Sequence, residues 1–280
     1  MELALEDTAV TIKVLSVGGK RMSRAIYSQM PRRSPLSNHD CTVQGQLWGI
    51  VVDPKCCHRM GSGSTSVDLL RSVTGDGPGG VHRRAIVQSG HMASRVEKYL
   101  AHLDRLSGGR EPRFFPVEST KQGLRGVTEI VYDDLPDGLL TTLTYGLSLA
   151  EHPEWQHGSP ELCLSVNSTN VIWAHAVGFL AEQLRGTCPF SYGSTINFGE
   201  RIVPDSEMTA FCVFAPLVLD RADYLGIDVG VPGHEGHDVI NIQGMYPIHE
   251  VERQFINEHG LEAFWKSGWE PTDVLRSPAI

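Results

Sequence analysis

"INIQGMYPIHEVERQFINEHGLEAFW", residues 240–265, joins two periodicities. Ile240 and Ile242 belong to an apolar strand expected over Asp238–Ile242. Pro247-Ile248 then opens a helix. Ile248, Val251, Phe255 and Ile256 recur at the spacing of one buried helical face, and Gly260 ends it. A strand feeding an amphipathic helix calls for a sheet with a helix laid on it. The stretch therefore predicts an α+β or mixed α/β domain.

Just upstream lies "GHEGHD", residues 233–238. His234 and His237 invite a metal reading with Asp238 as a third ligand. The paired histidines of a zinc-hydrolase helix are four apart; these are three apart, and Pro232, Gly233 and Gly236 oppose a helix. A polar surface loop is the simpler account, and a loop metal site the alternative. No cofactor is expected.

Further strands are predicted at Arg113–Val117, Thr128–Tyr132, Leu140–Leu147, Glu161–Val166, Ser194–Phe198 and Thr209–Phe214, punctuated by Gly, Asp and Pro. One helix spans His91–Leu106, with Val96, Tyr99, Leu100, Leu103 and Leu106 on one stripe and Ser107-Gly108-Gly109 as its stop. Another runs from about Val171 to Leu184, capped from Asn167-Ser168-Thr169-Asn170. The sum is a mixed, largely antiparallel sheet with packed helices over residues 91–280.

Residues 1–90 read differently. A strand over Thr8–Leu15 is broken by Gly18-Gly19, and Met22, Ala25, Ile26 and Met30 follow at helical spacing. Strands are expected at Gln46–Val52 and Val81–Gln88, around a Gly/Ser-rich loop from 54 to 80. This is a small α/β domain or appendage with a thin core.

Charge follows the same division. Residues 1–90 hold 11 Lys and Arg against 7 Asp and Glu, a net +4; residues 91–280 hold 13 against 26, a net −13. The acidic part is repelled by nucleic acid and attracted to a basic protein. For residues 1–90 a nucleic-acid partner stays open. Hydrophobic residues make up 41% of the chain and charged ones 20%, as in soluble globular proteins. No apolar run approaches the roughly 18 residues of a membrane span. The acidic start Met1–Asp7 is unlike a signal peptide, so a cytoplasmic location without membrane association is expected.

Other chemical candidates are weak. Cys41, Cys56, Cys57 and His58, with His39 nearby, match no zinc-ribbon or finger spacing and read as loop thiols. Cys163 and Cys212 fall in apolar strands, where a thiol acts as a small hydrophobe. Gly61–Ser64 and Gly75–Gly80 lack the Lys-Ser/Thr ending of a phosphate loop. His152 and His157 sit in a Pro/Gly-punctuated loop with no nucleophile elbow nearby, and His175 lies on an apolar helix. No constellation meets the tests for catalysis, and the chain is expected not to be an enzyme. Asp133-Asp134-Leu135-Pro136-Asp137-Gly138 reads as a turn whose exposed carboxylates suit a basic partner; Glu151 and Glu154 join Asp133, Asp134 and Asp137 as candidate contacts.

The stretch from about 93 to 275 resembles the suppressor of fused family, in particular its compact bacterial members. The resemblance rests on "LTTLTYGLSLAEHPEW" (140–155), "ELCLSVNSTNVIWAHAVGFLAEQLRG" (161–186), "YGSTINFGERIVPDSEMTAFCVFAPL" (192–217) and residues 240–265, in the family's order. It implies a mixed α/β domain without catalytic activity. Animal members restrain a transcription factor, and bacterial members are read as immunity proteins against a cognate polymorphic toxin. Gln183 and Ser194 stand where the animal form has peptide-contacting positions, so the resemblance does not imply binding of the same peptide. A two-part regulator that sequesters a partner and a metal-dependent hydrolase are the alternatives.

Overall fold

The computed structural model describes residues 13–17, 20–24 and 40–42 as backbone, and residues 93–230 and 238–280 with their side chains. The first half of the strand predicted from Thr8, the strands predicted at Gln46–Val52 and Val81–Gln88, the loop 54–80, Cys56, Cys57, His58 and His39 lie outside the described residues. The chain divides into two compact units, one of residues 1–44 with 92–280 and one of residues 45–91; the second lies outside the described residues.

Near the N-terminus, β1 (Lys13–Val17) pairs antiparallel with β2 (Lys20–Arg24), Val17 opposite Lys20. Met22, the start of the expected helical spacing, is thus in a strand, while Ala25, Ile26 and Met30 lie outside the described residues. Only Gly18-Gly19 separates the partners, and a glycine pair suits a two-residue hairpin connection. Strand pairing overrides the weak 3.6-residue pattern there.

The main sheet is built from β3 (Asp40–Thr42), β4 (Arg113–Pro116), β5 (Thr128–Tyr132), β6 (Leu140–Tyr145), β7 (Ser159–Val166), β8 (Thr195–Asn197), β9 (Ala210–Phe214), β10 (Ile227–Asp228) and β11 (Val239–Ile248). Its order is β3-β8-β9-β11-β7-β6-β5-β4, with β10 added against the start of β11. The β11–β7 and β3–β8 pairs are parallel and the others antiparallel. The predicted mixed, largely antiparallel sheet is thus present.

Helices cover both faces, which explains the unbroken burial of β7 and β9. The first, α1 (Arg95–Ser107), opens on a capping box: the Ser94 N–H donates to Glu97 Oε2 at 2.7 Å while Ser94 Oγ accepts from the Glu97 N–H. It ends at Gly108, whose φ of 65° a side chain would disfavour. Its Tyr99 and Leu103 pack with Ile130, Leu143, Ile240 and Ile242. On the other face lies α2 (Ile172–Leu184), which meets Glu129, and adjacent strand residues point to opposite faces. Asn170 Oδ1 accepts from the Ile172 N–H at 3.1 Å, realising the expected capping chemistry.

A short helix, α3 (Arg221–Tyr224), precedes β10; α4 (Glu250–His259) and α5 (Leu261–Trp265) follow β11. Ile256 and Phe264 from these two close a second cluster over Cys212, Tyr246 and Ile248.

Residues 240–265 depart from expectation at one point. Pro247 and Ile248 do not open the helix; they pair with Phe211 and Ala210 as the end of β11. Beyond Gly244 the strand has no β7 partner, so a proline without an N–H breaks no ladder on that side. The helix starts at Glu250, and Val251 is 49% exposed instead of buried. Its inward residues are Ile256 and Glu252, the latter 0% exposed.

Candidate functional site

The β5–β6 connection carries three of the five candidate acids. Asp134 takes a φ of 59° and Gly138 one of 86°, which turns the chain sharply between the strands. Arg113, opposite Val131 in the β4–β5 register, donates to Asp133 Oδ1 at 2.6 Å. Arg110 reaches Asp137 Oδ1 at 3.1 Å and also donates to the Asp134 carbonyl. The Asp137 side chain is 88% exposed and that of Asp133 64%, so each pair contributes at most about 1 kcal/mol. An incoming cation can exchange with the arginines at little cost. Beside the turn lies an open depression of about 260 Å³, bordered by Leu139, Leu140, Ser168 and Thr169.

Glu151 and Glu154 are elsewhere. Tyr145 pairs with Thr128 at the far end of β5–β6, and the chain continues through a 3-10 turn (Leu147–Leu149) into their loop. The five candidates therefore form two groups at opposite ends of the strands, about 17 Å apart by the length of a five-residue strand. In the second group His152 Nδ1 accepts from the Glu154 N–H at 3.2 Å, and the His152 ring lies 5.5 Å from that of Trp155. Of the two family-aligned positions, Gln183 is half-buried and Ser194 is 2% exposed.

His234 and His237 lie outside the described residues. Asp238 accepts from Arg95 Nε at 2.8 Å and Nη2 at 3.1 Å, so an arginine fork engages both of its carboxylate oxygens. Among the described residues no group of three or more His, Cys, Asp or Glu is placed to hold a metal. Cys163, Cys188 and Cys212 are buried free thiols. Burial pushes the Cys163 thiol up to about 12 and raises that of Cys212 as well, so neither supplies a thiolate near neutral pH.

What the sequence reading missed is a set of four buried carboxylates, each 0–2% exposed: Glu129, Glu161, Glu182 and Glu252. Glu161 accepts from Thr144 Oγ1, the Gly146 N–H, and the N–H and hydroxyl of Ser148. It fastens the 3-10 turn to β7. Glu129 meets His175 Nδ1 at 2.7 Å beneath Gly178, and His175 lies edge-on to Phe115. Gly178 is required here, since a Cβ would stand 2.1 Å from Glu129 Oε1 and 2.5 Å from its Cγ. We expect Gly178→Ala to destabilise the fold by about 1–3 kcal/mol, because the pinned glutamate cannot swing aside. A lowered urea midpoint at unchanged m-value is the measurement; an unchanged midpoint would show that the pair yields freely.

A mixed, largely antiparallel sheet with helices on both faces, four buried carboxylates and exposed acidic turns define an α+β domain. No protein-family model matches the sequence, and no curated protein matches it significantly. Solved structures do match in shape. One is the putative suppressor of fused homologue of Neisseria gonorrhoeae, with a TM-score of 0.52 and 17% identity over 65% of this chain and 95% of that one. Drosophila Suppressor of Fused matches at 0.50 and 12% identity, covering 67% of this chain and 52% of that one. The Sufu-Fu complex matches at 0.50 and 11% identity, covering 68% and 93%. The chain therefore has the suppressor of fused fold, and it spans about half the length of the Drosophila structure.

Proposed function

We propose that residues 91–280 form a non-catalytic protein-binding domain, and that the chain is a cytoplasmic immunity protein that neutralises a basic partner, a cognate toxin. One observation carries this: the net charge of −13 over residues 91–280, on a fold that a solved relative presents in a Sufu-Fu complex. Nine basic residues of this part already face carboxylates, namely Arg95, Arg105, Arg110, Arg113, Arg185, Arg201, Arg253, Lys266 and Arg276. The surplus is therefore acid without internal cations to answer it. A surplus of this sign speeds encounter with a cationic nuclease and covers its phosphate-binding surface. The +4 charge of residues 1–90 supports a second reading, a two-part regulator in which this basic part recognises a partner of its own.

The test starts from co-expression with the protein encoded by the neighbouring gene. A complex that loosens steeply with salt is expected. In Asp133→Asn/Asp134→Asn/Asp137→Asn the association rate should fall about tenfold at low salt, because Arg110 and Arg113 are then left uncompensated. The same measurement on Glu151→Gln/Glu154→Gln reports on the other end of the strands. If only that pair slows association, the turn at 133–138 is removed from the argument. If no complex forms, the immunity reading falls.

A further inference from the structure

The described residues expose six large hydrophobic side chains: Val96, Phe114, Ile172, Val251, Leu275 and Ile280. Half of them belong to α4 and the C-terminal tail. Glu252, 0% exposed, accepts from Arg276 Nη2 at 2.8 Å, the Ala279 N–H at 2.9 Å and the His249 N–H at 2.9 Å. His249 Nε2 also lies 2.9 Å from the Arg276 carbonyl oxygen, and Arg276 stacks on Trp269 at 4.9 Å. These contacts anchor residues 276 and 279 at the first turn of α4. Leu275, 66% exposed, and Ile280, 48% exposed, flank these anchored residues, and Val251, 49% exposed, adjoins Glu252 in the first turn of α4. One and two helical turns along from Val251 come Phe255 and His259, whose rings lie 4.5 Å apart.

The segment that carries these residues is acidic. From His249 to Ile280 the chain holds six carboxylates and three bases. Arg253 faces Glu250, Lys266 faces Glu262 and Arg276 faces Glu252. Glu258, Glu270 and Asp273 have no Lys or Arg partner among the described residues; the Glu258 side chain is 72% exposed. Trp269 and Ala279 of this segment pack on the core, whereas Val251, Leu275 and Ile280 stay in water, as suits a docking face.

We infer that the α4–tail face is a protein-docking surface for a basic amphipathic helix, whose apolar side seats on Val251, Phe255, Leu275 and Ile280 while its lysines or arginines meet Glu258, Glu270 and Asp273. Apolar anchors supply the affinity and the acids select a cationic occupant over an acidic one. This deepens the protein-binding reading and rests on it, with contacts other than the carboxylates of the β5–β6 turn.

The test uses the full chain and a synthetic helical peptide of leucine and lysine, about four turns long. Its leucine–glutamate counterpart is the control. Fluorescence anisotropy should show binding of the lysine peptide only, weakened by salt, with amide shifts gathered on residues 250–259 and 274–280. Val251→Ser/Leu275→Ser should weaken it about tenfold, and circular dichroism should show both proteins equally folded. Equal binding of the glutamate peptide, no binding of either, or indifference to the two substitutions overturns the inference. So does clustering of the shifts at residues 133–138. A dimer of the free chain in sedimentation, abolished by the same substitutions, would make a second copy the occupant and likewise overturn it. If the peptide fails while the neighbouring-gene complex persists, the face is refuted and the protein-binding reading stands.

Discussion

Glu252→Ala is expected to lower stability by about 3–5 kcal/mol, the cost of stranding a buried charge. The carboxylate is fully enclosed, and the Arg276 side chain it faces is only 8% exposed. Alanine leaves that guanidinium without an anion and frees the Ala279 and His249 N–H groups at once. The tail then has less to hold it, chiefly Ser206 Oγ donating to the Val274 carbonyl and the Asn167 N–H donating to that of Thr272. Two measurements check this. The urea midpoint should fall sharply, and trypsin should cut after Arg276 under conditions where the native chain resists. A variant with both unchanged would show that the tail is held by its aromatic contacts alone.

Arg185→Ala is the second large effect, again about 3–5 kcal/mol. Arg185 and Glu182 are one helical turn apart at the end of α2, with both side chains 0% exposed. Arg185 donates to Glu182 Oε1 at 2.9 Å, to Ser119 Oγ at 2.7 Å and to the Arg125 carbonyl at 2.5 Å. Glu182 in turn accepts from the Thr120 N–H at 2.7 Å. Three of these contacts, with Ser119, Thr120 and Arg125, tie the β4–β5 connection to the helix. Removing the arginine alone leaves a buried carboxylate without its cation. Removing both, as Glu182→Gln/Arg185→Met, should cost clearly less than the single change. Denaturant unfolding of the three variants decides it. A single substitution within about 1 kcal/mol of the parent would mean that water reaches the pair.

These two sites show where sequence reasoning stops. Glu182 sits in "GFLAEQLRG" and looks like an ordinary polar position on a helix; only the return of Thr120 makes it interior. Glu252 had a local signal, because His249 is three residues before it and the pair closes the start of α4. A capping glutamate is ordinarily exposed, and the tail of the chain is what buries this one. Glu161 had a fainter signal, as an acid opening the apolar run "ELCLSV".

The candidate contacts tell the same story. Asp133, Asp134 and Asp137 read as one exposed acidic turn, and the structure places them together. Arg110 and Arg113, 20 or more residues earlier in the chain, were not foreseen as their partners. Nor could charge counting reveal that Glu151 and Glu154 lie at the other end of the strands, since that separation comes from the length of β6.

By itself the sequence determined the longer strands and the three longer helices of the described residues beyond 92, though not α3, β10 or α5, together with the caps at Ser107-Gly108 and Asn170, the buried strand thiols and the acidic surplus. All of these depend on neighbours within a turn or a strand, where side-chain period and backbone preference act directly. Only the tertiary structure decided that Pro247-Ile248 end a strand, that Val251 faces water while Glu252 does not, and which acids share a surface. Those outcomes depend on partners far along the chain: Phe211 and Ala210 for the strand, Arg276 and Ala279 for the glutamate. A local pattern fixes which residues alternate, but burial is set by what arrives on top of them.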